Sequence, residues 1–125
     1  MAEDQRPLVW VGSSKKELDT FPDDVQHVIG FALWRAQEGK KHPDAKPLKG
    51  FRGAGILEIV ADEEGDAYRA VYTVRLTHAI YVLHAFQKKS KRGVKTPYPV
   101  MSLVRQRLRD AEELDAHAMT TEETI

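Results

Sequence analysis

The stretch ILEIVADEEGDAYRAVYTVRLTHAIYVLHAF, residues 56–86, decides the fold. Ile56–Ala61 and Tyr68–Leu76 are β-rich runs, and the Asp, Glu and Gly of Asp62–Asp66 between them form a hairpin turn. Thr77–Ala79 is a tight connection. Ile80–Phe86 follows as a third strand, apolar enough to lie inside a sheet. Alternation places Arg69, Val71, Thr73 and Arg75 on one face of the middle strand, with Ala70, Tyr72, Val74 and Leu76 on the other. The second set is the more apolar and faces the helical layer. In the third strand Val82, His84 and Phe86 share one face, opposite Tyr81, Leu83 and Ala85.

Upstream, Leu8–Val11 reads as a short first strand. Ser14 and Glu17 make a capping-box pattern, so a helix starts there. Pro22 interrupts it. Val25, Val28, Ile29, Ala32, Leu33 and Ala36 recur at helical spacing and Gly39 ends that helix. Lys40–Gly55 is rich in Gly, Pro and Lys and reads as a loop. Downstream, Gln87–Lys95 is a basic loop, and Thr96 caps a helix with Pro97 in its first turn. Val100, Leu103, Val104, Leu108 and Ala111 mark one face of that helix, which runs to about His117. The expected architecture is α+β: a small antiparallel sheet with N-terminal helices packed on one face, and a C-terminal helix. The opposite face of the sheet is expected to be open for binding. The chain reads as one domain, 1–125, with a short flexible N-terminus and an acidic C-terminal tail.

Of the 125 residues, 42% are hydrophobic and 30% charged, which is ordinary for a globular chain. The sequence has no cysteine, which excludes disulfides, a thiol nucleophile and Cys-based metal sites. No window approaches the ~18 apolar residues of a membrane helix, and the N-terminus lacks an apolar signal core. The expectation is a cytoplasmic protein. Gly50, Gly53 and Gly55 match neither a dinucleotide fingerprint nor a P-loop. The five histidines lack metal-ligand spacing, so no metal and no cofactor are expected.

Net charge is zero, but its distribution is uneven. Residues 86–109 hold eight basic side chains and no acid, whereas six acids and no base follow from Asp110. This asymmetry points to a polyanionic partner, or else to a solvated helix face followed by an acidic tail. Lys88, Lys89, Lys91 and Arg92 follow the last strand. Lys46, Lys49 and Arg52 lie in the loop entering the sheet, and Arg69 projects from the sheet face. Together they form a phosphate-binding groove. Arg105, Arg107 and Arg109 either guide docking to RNA or stay solvated. His84 has two readings, a hydrogen-bonded half-buried histidine or a proton carrier beside an RNA backbone. Glu58 is either a strand salt bridge or a base.

Phe21-Pro22, Lys46-Pro47-Leu48-Lys49-Gly50, Leu57-Glu58-Ile59, Tyr68-Arg69-Ala70-Val71-Tyr72, Leu83-His84-Ala85-Phe86-Gln87-Lys88-Lys89-Ser90 and Thr96-Pro97 occur in that order. The succession, from about Leu8 to Ala111, resembles a phage-derived, HigB-like toxin of the RelE/ParE superfamily. The resemblance implies the toxin of a type II toxin–antitoxin system, an endoribonuclease that cuts mRNA at the ribosomal A site. It also implies a helix-turn-helix antitoxin as partner. The family arginine of the middle strand maps onto Arg69, and the basic residue past the last strand maps onto Lys88 or Lys89. The segment Leu57-Glu58-Ile59-Val60 departs from RelE in having no lysine. Tyr98 lies in the region where relatives carry a general acid or base. Two other activities share this expectation of fold and charge: gyrase inhibition, as in ParE-like relatives, and nucleic-acid binding without catalysis.

Overall fold

Strand β1 (Leu8–Trp10) leads into two helices, α1 (Ser14–Asp19) and α2 (Asp23–Gln37). The chain continues as β2 (Ala45–Pro47), β3 (Ile56–Glu63), β4 (Asp66–Thr73), β5 (Ile80–Lys88) and α3 (Tyr98–Glu123). The computed structural model describes residues 5–51, 55–88 and 98–123, with side chains in the last two segments described through 87 and 118. The predicted α+β architecture is found, as one mostly antiparallel five-stranded sheet in the order β1-β5-β4-β3-β2. The expected cap Thr96 and first-turn Pro97 lie outside the described residues.

The β3–β4 hairpin turns through Glu64 and Gly65, with φ of 50° and 86°. Two left-handed residues in succession match the right-handed twist of the flanking strands, and glycine adopts the second without a Cβ penalty. β5 is interior as expected, paired antiparallel with β4 and parallel with β1.

Two cores lie on opposite faces of the sheet. Leu18 of α1 and Val25, Ile29, Leu33 and Ala36 of α2 pack with Ile59, Ala70, Tyr72, Ile80, Val82 and Ala85. Full burial of each large aliphatic chain contributes about 1.5–3 kcal/mol. On the other face Val104 and Ala111 of α3 pack with Ile56, Val71, Tyr81 and Leu83. That second core corrects the expectation of an open face: α3 carries its own apolar stripe and buries it there.

Other differences have local causes. β2 falls inside the segment expected to be a loop. It has three residues, one of them proline, yet pairs with β3 through Lys46↔Glu58. The alternation expected for β5 fails at a bulge: Val82 pairs with Tyr72 and His84 with Val71, leaving Leu83 extra. Past that point Ala85 joins the α1–α2 face, and Phe86 packs with the α3 face. The capping box is not made either. Ser13 occupies the N-cap of α1 with no side-chain cap bond. α3 also runs past His117, to Glu123.

Tyr72 is fully buried with no hydrogen-bond partner for its hydroxyl, and burial pushes that hydroxyl up to about 12. Leaving a buried donor unsatisfied costs about 1–3 kcal/mol. Tyr72→Phe is therefore expected to keep or raise the thermal midpoint, by up to about 1 kcal/mol of stability, as thermal denaturation would read.

Candidate functional site

Arg69 and Glu58 meet on the α3 face of the sheet. The register pairs Glu58 with Val71 and Val60 with Arg69, so the two charged residues are diagonal neighbours. Arg69 Nη1 donates to Glu58 Oε1 at 2.9 Å. Their side chains are 20% and 12% exposed, so the pair is partly desolvated. Arg69 Nε and Glu58 Oε2 remain buried without partners. Lys46 stands directly across from Glu58 on β2 and is exposed, as is Lys49 beyond it. Phe86 pairs with Arg69 from β5. Lys46, Glu58 and Arg69 thus lie on three successive strands, with Arg69 two residues along β4 from the Val71 that pairs with Glu58.

Lys88 pairs with Ala67 at the end of β5, and its side chain is outside the described residues. Arg52, Lys89, Lys91 and Arg92 also lie outside them. The three arginines of α3 separate: Arg105 stacks over Phe51 at 5.2 Å, Arg109 is exposed, and Arg107 is buried. Arg107 is therefore neither solvated nor free for docking.

Arg107 belongs to a second cluster, at the flank of β5. β1 ends at Trp10, opposite Val82, and α1 continues along the strand from there. Glu17 Oε1 accepts the Ala85 N–H at 3.2 Å, and Arg107 Nη1 donates to the Leu83 carbonyl at 2.9 Å. Side chains here take the place of a missing neighbouring strand. Arg107 also donates to both Glu17 oxygens, at 3.0 and 3.2 Å, and to Ser13 Oγ at 3.0 Å. His84 Nδ1 lies 2.8 Å from Glu17 Oε1. An ionised carboxylate only accepts, so the proton sits on Nδ1. The ring stacks on Phe86 at 5.0 Å. The structure thus gives His84 the hydrogen-bonded, buried environment of the first of its two readings.

Gly12 makes room for this cluster. Its φ is +57°, and a Cβ there would come within 2.9 Å of the Arg107 Nε. Burial alone would raise the Glu17 pKa. Hydrogen bonds from Arg107, His84 and the Ala85 amide overcome it and lower the pKa from 4.5 to about 2. A depressed carboxylate stabilises the fold above its unfolded pKa and loses that contribution as pH falls through the folded one. The contribution, discounted for partial exposure, is about 2 kcal/mol at neutral pH. Denaturant titrations of wild type and Glu17→Gln are expected to differ fully above pH 4.5 and to converge as pH falls towards 2.

Asp115 forms a third cluster, accepting the backbone N–H groups of Thr77 and His78 and the Tyr81 hydroxyl, at 3.1, 2.9 and 3.0 Å. Burial opposes ionisation there, but these donors keep its pKa low. Asp115 is therefore not part of a solvated acidic tail. It ties α3 to the β4–β5 connection.

Arg107 and Asp115 were not singled out from the sequence as structural residues, and Glu17 only as a member of a capping box. One signal was present: Arg107 and Asp115 fall on the same helical period as Val100, Val104, Leu108 and Ala111. Among the described residues no three His, Asp or Glu side chains gather as a metal site would require. None of their helices is long and apolar enough to cross a membrane.

Comparison with curated proteins gives no match. A family model, described as phage derived protein Gp49-like (DUF891), matches residues 16–109. The match takes in the Arg69–Glu58 pair, β5 and the buried Arg107, and on that extent the chain belongs to the phage-derived Gp49-like family.

Proposed function

We propose that this protein is the toxin of a type II toxin–antitoxin system and that it cuts mRNA on the ribosome. Membership of the Gp49-like family is consistent with a HigB-like toxin of the RelE/ParE superfamily. The observation that supports phosphate chemistry is Arg69. Its guanidinium is held by one bond to Glu58 and its side chain keeps a fifth of its surface exposed, on the sheet face that also carries Glu58.

In this reading the RNA 2′-hydroxyl attacks the adjacent phosphorus and the 5′-oxygen leaves. Negative charge grows on the phosphoryl oxygens, where a fixed guanidinium is most effective. Arg69 contacts the phosphate, and Glu58 keeps the guanidinium in place. Lys46, Lys49, Arg52, Lys88, Lys89, Lys91 and Arg92 hold the RNA backbone. The proton carriers come from Glu58 and the lysines past β5. A helix-turn-helix antitoxin neutralises the toxin.

The test is a translating extract with a defined message, analysed by primer extension. New 5′ ends on addition of the protein, absent with Arg69→Ala and Lys89→Ala, are the expected result. Uncut message together with inhibited gyrase supercoiling would instead assign the fold's other activity. Salt-dependent RNA binding without product would leave only a binding module.

A further inference from the structure

The outer face of α2 carries a stripe that the fold itself leaves uncovered. Phe31 and Trp34 are 48% and 44% exposed and stack on each other at 5.8 Å. Gly30 sits between them and His27 on this face. A Cβ added at Gly30 would meet nothing within 4 Å, and its φ lies outside the left-handed range. Neither packing within the chain nor backbone geometry requires glycine, although glycine weakens a helix interior. Gly30 is also the midpoint of Asp23–Gln37.

The charges on this face are complementary about that midpoint. α2 has acids in its first turn and Arg35 in its last. Arg35 lies over the Phe31 ring at 5.9 Å, with its Nε unpartnered. Neither Asp24 nor Arg35 has an ion-pair partner among the described residues. Asp24 instead adjoins Glu63, whose pKa is raised by partial desolvation and by the Asp24 and Glu64 carboxylates. Asp24 and Arg35 are separated by three helical turns, within about 20° of each other around the axis.

We propose that α2 is a homodimer interface, in which two copies pack antiparallel across Gly30 with Phe31 and Trp34 in the seam. A two-fold axis at residue 30 sets Asp24 level with residue 36 of the other copy. Asp24 of each copy then pairs with Arg35 of the partner subunit, once on either side of the axis. Glycine at the crossing lets the two backbones approach closely, and the antiparallel helix dipoles add to the fit. One helix crossing buries little area, so the affinity expected is micromolar, about 1–100 μM. The inference holds whichever activity the opposite face carries.

Sedimentation velocity on the full chain over that range tests it. The mass of the wild type is expected to rise with concentration towards twice the monomer value. Gly30→Leu and Phe31→Ser should each weaken association at least ~10-fold. Gly30→Ala should raise the monomer's thermal midpoint while weakening the dimer, a pairing of effects that misfolding cannot produce. Asp24→Lys or Arg35→Glu alone should weaken association ~10-fold, and the two together in one chain should restore it. A mass that stays monomeric throughout overturns the proposal, as does a dimer indifferent to Gly30→Leu or a charge swap that fails to rescue. A monomer that binds single-stranded RNA more weakly with Arg35→Glu and more tightly with Asp24→Lys would make the stripe a base-stacking surface instead.

Discussion

Arg107→Ala is expected to destabilise the protein by about 3–5 kcal/mol, the cost of breaking one side of a buried ion pair. The change removes five contacts at once: both Glu17 oxygens, Ser13, the Leu83 carbonyl and the packing against Gly12. It leaves the Glu17 carboxylate without its guanidinium partner, held only by Ser13, His84 and the Ala85 amide. Small domains have about 5–15 kcal/mol in total, so the loss is a large fraction. A fall in thermal midpoint on the order of 10–15 °C should be seen by circular dichroism. Arg107→Lys should not rescue it, because an ammonium cannot bridge both Glu17 oxygens and the Leu83 carbonyl in one plane. Arg109→Ala is the control. Its side chain is exposed, and it should change stability by no more than about 0.5 kcal/mol. A similar midpoint for both alanine variants would show that the Glu17 cluster holds nothing together.

The second large effect concerns catalysis. Arg69→Ala is expected to lower mRNA cleavage by ~10²–10³-fold, the usual effect of removing one donor to a developing oxyanion. Its fold should persist, because neither Arg69 nor Glu58 is a member of either apolar core, and both cores keep all their side chains. The midpoint should be measured alongside the rate, since Glu58 loses its partner. Glu58→Gln separates the roles. If Glu58 only positions Arg69, an amide still accepts the Nη1 bond and most activity remains. If it moves the proton, cleavage is lost with the guanidinium still in place. Arg69→Lys keeps the charge without the fork and should recover only part of the rate. Arg69→Ala cutting at the wild-type rate would remove the guanidinium from the phosphate.

The fold was largely legible in the sequence, because periodicity and turn chemistry agreed in residues 56–86 and 14–39. Three features were not. β2 is stabilised by β3 rather than by its own sequence, and its Lys-Pro composition reads as loop. The bulge at Leu83 exchanges the faces of Ala85 and Phe86, and no local pattern in a strand with apolar residues on both faces announces it. The polar network depends on contacts across 24 to 94 positions of chain, beyond any local window. Glu17 carried a cap signature and serves a different purpose. The Arg69–Glu58 pair was legible in part, since alternation put Arg69 on an outward position and a strand salt bridge was one of the two readings of Glu58. It did not reveal that they meet.

The Glu17–Arg107 cluster also bears on how the protein behaves in a crowded solution. A sheet edge with unpaired backbone groups is a template on which another chain can add a strand. β1 and β2 have three residues each, and β2 carries Lys46 and Pro47, which discourage such pairing. The longer hazard is the flank of β5 beyond Trp10, and there the Ala85 amide and Leu83 carbonyl are already bonded to side chains. Strand addition is hindered at that flank, where side chains already occupy the backbone groups. A chain that has lost Arg107 exposes that flank, and its earliest failure should be aggregation through β5.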